Sequence, residues 1–170
     1  MLHVRQTVVI CASLVALLAP AAALAVQEGS GDGTLVVKDG SAPKGVAVVT
    51  LAIQGAVIGH VAGRGRLVIE DLTGTFVPEV TNYDWHKTSG LGEDTWVGTD
   101  FRFRAVGGTY KITIYGQDIS LVASGQGSAV LTGLPDAPAA DGRFSLNGSL
   151  FRSLPATPTR PLLIPTASTG

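Results

Sequence analysis

The chain has 170 residues, 15% of them charged and 45% hydrophobic, a length and balance that suit about one packed domain and exclude long intrinsic disorder. Its 22 glycines, set against one cysteine and 6% aromatics, describe a glycine-punctuated β protein more than a helical bundle or a disulfide scaffold. With 12 Lys and Arg against 13 Asp and Glu the formal charge is -1, which lacks the basic footprint of a nucleic-acid binder.

The N-terminus reads as a secretory signal over residues 1–25. His3 and Arg5 form a short polar start, Thr7–Leu18 is an apolar core of signal-peptide length, Pro20 breaks it, and Ala23-Leu24-Ala25 supplies small residues where signal peptidase reads. Cleavage is expected after Ala25, leaving no stable membrane insertion. The competing reading is an uncleaved anchor, because Thr7–Val26 is about long enough to span a bilayer. Cys11 follows Ile10, where a lipobox needs a small residue, so lipidation is not expected. Removing this segment takes away the only cysteine and leaves His60 and His86 as the histidines, which eliminates disulfides, thiol catalysis and cysteine-based zinc sites.

After a polar, glycine-rich lead-in (26–33) the sequence alternates with period 2. Strands are expected at Thr34–Lys38, Val46–Gln54, Ala56–Val61, Arg66–Asp71, Phe76–Val80, Phe101–Arg104, Thr109–Tyr115, Ile119–Ala123, Ser128–Thr132 and Arg143–Phe151, with Gly or Pro at nearly every junction. The tail, 155–170, is rich in Pro and Thr and cannot form a helix, although Leu162–Ile164 is a candidate edge strand. Its start, Leu154-Pro155-Ala156-Thr157-Pro158, approaches a sortase signal but has Pro where Gly is required, and is read as a chance match.

Residues 49–62 match residues 110–123 at a constant offset, with Val49 on Tyr110, Leu51 on Ile112, Ile53 on Ile114, Ile58 on Ile119 and Val61 on Val122. One insertion later, Gly63–Ile69 falls on Gly125–Leu131. Each half reads strand, glycine corner, strand, Gly-x-Gly turn, strand, with Gly55 and Gly116 at the corners. The expectation is an all-β domain over 34–154: an antiparallel β-sandwich or flattened β-barrel built from two tandem three-stranded repeats, at about 34–72 and 99–134.

The run Phe101–Tyr110, then Ile114–Gly133, and finally Gly142–Gly148 with Ser153-Leu154-Pro155 resembles a group of small exported proteins from high-GC actinobacteria. The resemblance covers roughly residues 33–155. It implies a bacterial, exported, all-β protein and transfers no activity, cofactor or site residue to this chain.

Function is expected, if anywhere, in Glu79–Thr99, which joins the two halves, is long for an internal connection, and carries both tryptophans. Trp85 and Trp96 are candidates to stack on sugar rings, with Asp84 or Asn82 accepting hydroxyl hydrogen bonds and Tyr83 and His86 completing the ligand-binding set. The plainer alternative folds the tryptophans over a sheet edge as a satellite cluster, and a third lets His86 hold a metal with nearby carboxylates. Gly63-Arg64-Gly65-Arg66 is read as a hairpin turn with a local anion patch rather than a phosphate loop, since a strand follows it. His60 is read as an ordinary strand histidine. No catalytic motif, metal site or cofactor is assigned. The expected role is a non-catalytic structural or interaction module of the cell envelope or extracellular space, its partner a cell-wall glycan or an envelope protein. A carbohydrate-binding module centred on Trp85 and Trp96 is the alternative, and an exported hydrolase comes third.

Overall fold

A computed structural model describes residues 33–74, 77–90, 92–136 and 141–165; the segment read as a signal, the cleavage expected after Ala25 and Cys11 lie outside these residues. Nine strands account for the described regular structure: β1 (Thr34–Gly40), β2 (Ala47–Asp71), β3 (Glu79–Thr81), β4 (Trp85–Thr88), β5 (Glu93–Gly116), β6 (Ile119–Leu131), β7 (Arg143–Leu146), β8 (Arg152–Ser153) and β9 (Leu162–Ile164). All belong to one antiparallel sheet of order β3-β5-β2-β6-β1-β7-β8, with β4 added to β5 and β9 to β6. The sheet does not close on itself, so of the two layouts expected from the sequence the closed barrel is excluded and the all-β fold holds.

Alternating side chains give the sheet one apolar face. In β2, Leu51, Ile53, Val57, Val61, Leu67 and Ile69 are fully buried while Ala52, Gln54, Ile58, Arg64 and Arg66 face outward. With no helix among the described residues to cover that face, the sheet must cover itself. It does so because β2 and β5 are long enough to bend and pair with each other more than once. The first part of β2 runs beside Phe101–Tyr115 of β5, whereas Gly65–Asp71 lies between two stretches of β5: Leu67 pairs with Trp96 on one side and with Ile114 on the other. The inner faces of these passes meet in a single cluster that takes residues from β1, β2, β5, β6 and β9. A bulge between Ala47 and Val49 turns both Val48 and Val49 inward.

The bends fall on two rows of glycine. Gly55 is in register with Gly108 on one side and Gly125 on the other, and Gly65 with Gly98 and Gly116. Gly55 and Gly125 have φ values of 152° and 146°, which side-chain-bearing residues rarely adopt, and a Cβ on either would run into the backbone of the facing strand. Backbone can therefore approach backbone along these lines, and the sheet folds over there.

The two matching sequence segments do not form two separate meanders. The first lies within β2, which is hydrogen-bonded continuously through Gly63-Arg64-Gly65-Arg66, so that stretch is a strand and not a hairpin turn. The second is divided between β5 and β6, with Gly116 ending β5. The two segments pair edge to edge within the one sheet. The Pro/Thr-rich tail is tied to the sheet, with the expected edge strand formed at Leu162–Ile164: Thr159 exchanges hydrogen bonds with Leu131, Gly133 N donates to Pro155 O at 2.7 Å, and Ile164 is buried opposite Gly127.

Candidate functional site

The segment Glu79–Thr99 is mostly strand. β4 and the start of β5 form a hairpin with Trp85 opposite Val97, His86 opposite Trp96 and Thr88 opposite Asp94; its turn is closed by Ser89 N donating to Glu93 O at 2.7 Å and Gly92 N donating to Ser89 O at 3.2 Å. Period-2 geometry then sends neighbours to opposite faces. Trp96 and His86 lie on one face, with Trp96 buried and His86 still exposed over it, and Trp85 lies on the other, so the two tryptophans do not share a groove.

Trp96 is 5% exposed and belongs to the core, whereas Trp85 is 49% exposed. The His86 ring stacks on Trp96 with centroids 4.8 Å apart and planes within 10°, and Tyr83 meets His86 edge-on at 6.0 Å. His86 Nε2 lies 2.9 Å from Asp94 Oδ1, and Thr88 Oγ1 donates to the same oxygen at 2.5 Å. These residues line one face of the hairpin beside its turn and cap the edge of the core there. The hydroxyl and the imidazole both address the carboxylate, an order different from the nucleophile–histidine–acid relay of a hydrolytic triad. Asp84 is exposed and its backbone N–H bonds Val97 O at 2.9 Å, carrying the chain into β4. Of the five expected residues, Tyr83, His86 and Trp96 are thus brought together at the rim, and Trp85 stands apart from them. Among the described residues no group of three His, Cys, Asp or Glu side chains is placed to hold a metal ion.

His60 sits in β2 beside Gly59, and its Nε2 is 2.6 Å from Asp100 Oδ1; Asp100 in turn accepts, through its carbonyl, a hydrogen bond from Asn82 Nδ2 at 2.5 Å. Both histidine contacts tie neighbouring strands together.

Outside the core the sheet carries two depressions. One, of about 550 Å³, lies over β1, β2, β3, β5 and β6, with Ile58, Val122, Lys38, Arg102 and Arg104 in its lining. Ile58 and Val122 are register partners, 54% and 43% exposed, so they form an apolar floor between charged flanks. The other, of about 760 Å³, lies between the 41–46 loop and the second bend line and is lined by Lys44, Arg64, Arg66, Val97, Tyr115 and Gln117 among others. A smaller hollow of about 320 Å³ beside it contains Trp85 and shares Arg66 and Val97.

Protein-family models, curated proteins and solved structures offer no match to this chain. The site is therefore read from its own geometry. Sequence reasoning had singled out Arg64, Arg66 and Trp85 without joining them. The signal that joins them is strand register: Trp85, Val97, Arg66 and Tyr115 form one row across four adjacent strand segments on the outer face.

Proposed function

We propose that the protein is an exported, non-catalytic interaction module of the bacterial envelope or extracellular space, and that it binds through the outer face of its sheet. The observation that carries this reading is the paired exposure of Ile58 and Val122 at the floor of a depression flanked by Lys38, Arg102 and Arg104. A contiguous apolar floor with a polar rim is the anatomy of a protein-binding surface. Export is supported by the signal-like leader, and the tying of both histidines to aspartates supports a structural use for them.

The test is capture of the full chain by isolated bacterial envelope. Ile58→Glu and Val122→Glu lie on the solvent face and are expected to leave the circular dichroism spectrum and melting curve unchanged while reducing capture at least severalfold. Equal capture of wild type and both variants would remove this face from the interaction, and no capture of the wild type would remove the envelope reading.

A carbohydrate-binding reading keeps support of its own. Trp85 is exposed in a hollow that also holds Arg66, Lys87 and Glu93, but the platform expected from Trp85 with Trp96 does not form, because Trp96 is in the core.

A further inference from the structure

The geometry points to an acidic oligosaccharide as the ligand of the outer row running from Trp85 through Arg66 to Tyr115 and into the cleft beside it. The inference rests on the reading of the chain as an envelope or extracellular module and adds a second surface to it.

The row is assembled by register. Trp85 faces Val97 across the β4–β5 pair, Val97 faces Arg66, and Arg66 faces Tyr115. Three strand intervals separate the two aromatic residues, which is about 14 Å. Trp85 offers a half-exposed indole at one end. Tyr115 offers a partly exposed ring at the other, and the Arg66 guanidinium lies 6.0 Å from its centroid. That contact orders the arginine over the ring without neutralising it.

Beyond Tyr115 the cleft of about 760 Å³ adds Arg64 and Lys44 and has no carboxylate in its lining. Among the described residues no carboxylate lies within ion-pair distance of Lys44, Arg64 or Arg66. Three cations that face one hollow with no carboxylate partner among the described residues repel each other and select an anionic occupant. Guanidinium forks match a carboxylate or phosphate in two-point contact, and the aromatic faces at either end match the C–H faces of pyranose rings. Neither feature alone distinguishes a sugar from a simple anion; their alternation along one row does. Toward the hairpin turn the charges change: Glu93 shares the hollow of Trp85 with Lys87 and faces Glu70, which is held 3.6 Å from Lys111, so the acidic groups of the ligand are placed at Arg66, Arg64 and Lys44 and Trp85 receives a ring face alone.

The experiment is calorimetric titration of the full chain with tetragalacturonate, with its neutral methyl ester, and with inorganic phosphate. Tetragalacturonate is expected to bind, the ester to bind at least about tenfold more weakly, and affinity to fall with added salt. Arg66→Gln is expected to weaken binding about tenfold. Trp85→Ala is expected to weaken it severalfold, and Arg102→Gln, on the other depression, to leave it unchanged. Equal binding of acid and ester, phosphate binding as tightly as the tetramer with Trp85→Ala without effect, or no binding of the tetramer would each overturn the proposal. Envelope capture separates the two readings. If tetragalacturonate fails while the wild type is still captured, this site falls and the module reading stands. If capture fails while the tetramer binds in the pattern above, the module reading falls and the site stands.

Discussion

At the level of single residues, one tight constraint is a glycine under an aromatic ring. Gly59 faces inward opposite Phe103, and a Cβ there would enter the ring of Phe103 and crowd Leu121. Gly59→Ala is therefore expected to cost about 1–3 kcal/mol in urea unfolding, as overpacking does, and to cost less in a Phe103→Leu background. Tyr110 is a second case. Its ring is buried over Gly108 and its hydroxyl donates to Val106 O at 3.1 Å. Burial, and secondarily the charge of Asp71, raises its ionisation above the ordinary 10.0. A raised acid favours the protonated form in the fold, so its contribution is complete below about pH 10 and is lost as pH climbs from there through the higher folded value. Tyr110→Phe is expected to be less stable by about 1 kcal/mol at pH 7, from the lost hydrogen bond, and to show a shallower alkaline decline than wild type. A parallel decline in both proteins would assign the alkaline loss to other groups. Gly59 was legible in the sequence only as a glycine in a strand, because the ring above it comes from more than forty positions downstream.

The β4–β5 hairpin is where sequence and structure part most clearly at the level of elements. Thr95-Trp96-Val97 carries a strand-forming pattern, but Gly90, Gly92 and the acidic residues around it read as loop, and tertiary pairing with Val68, Leu67 and Arg66 decided the matter. Once it is a strand, alternation assigns the two tryptophans to opposite faces. Trp96→Ala is expected to destabilise by about 3–5 kcal/mol, as removal of a buried aromatic does, whereas Trp85→Ala is expected to change stability by less than about 0.5 kcal/mol. Iodide quenching gives an independent readout: Trp96→Phe should leave a readily quenched emission and Trp85→Phe a protected one. Similar quenching in the two would contradict the opposed faces. The inner strands were legible because Val, Ile and Leu alternate in them without interruption. What the alternation could not reveal was where one strand ends, since Gly55, Gly63 and Gly125 look like turns in sequence and serve as bends within continuous strands.

For the molecule as a whole, the all-β fold and its core followed from composition and period, while the layout depended on which distant segments pair. β2 finds β5 and β6 as partners, and β6 lies between β2 and β1. Because one core serves every part of the sheet, thermal unfolding is expected to be a single transition seen alike by far-ultraviolet circular dichroism and tryptophan emission; two separated transitions would show independently stable halves. The ordering of the strands along the chain has a further consequence, for how the protein is made. β2 is 25 residues of alternating apolar sequence with no adjacent hairpin partner, and β6, which covers its other edge, begins 48 residues after β2 ends. During synthesis the longest strand therefore emerges before either of its partners and waits with both edges unsatisfied, so the bent sheet that gives the molecule its outer surface also makes its nascent chain dependent on being kept from its neighbours until β6 has emerged.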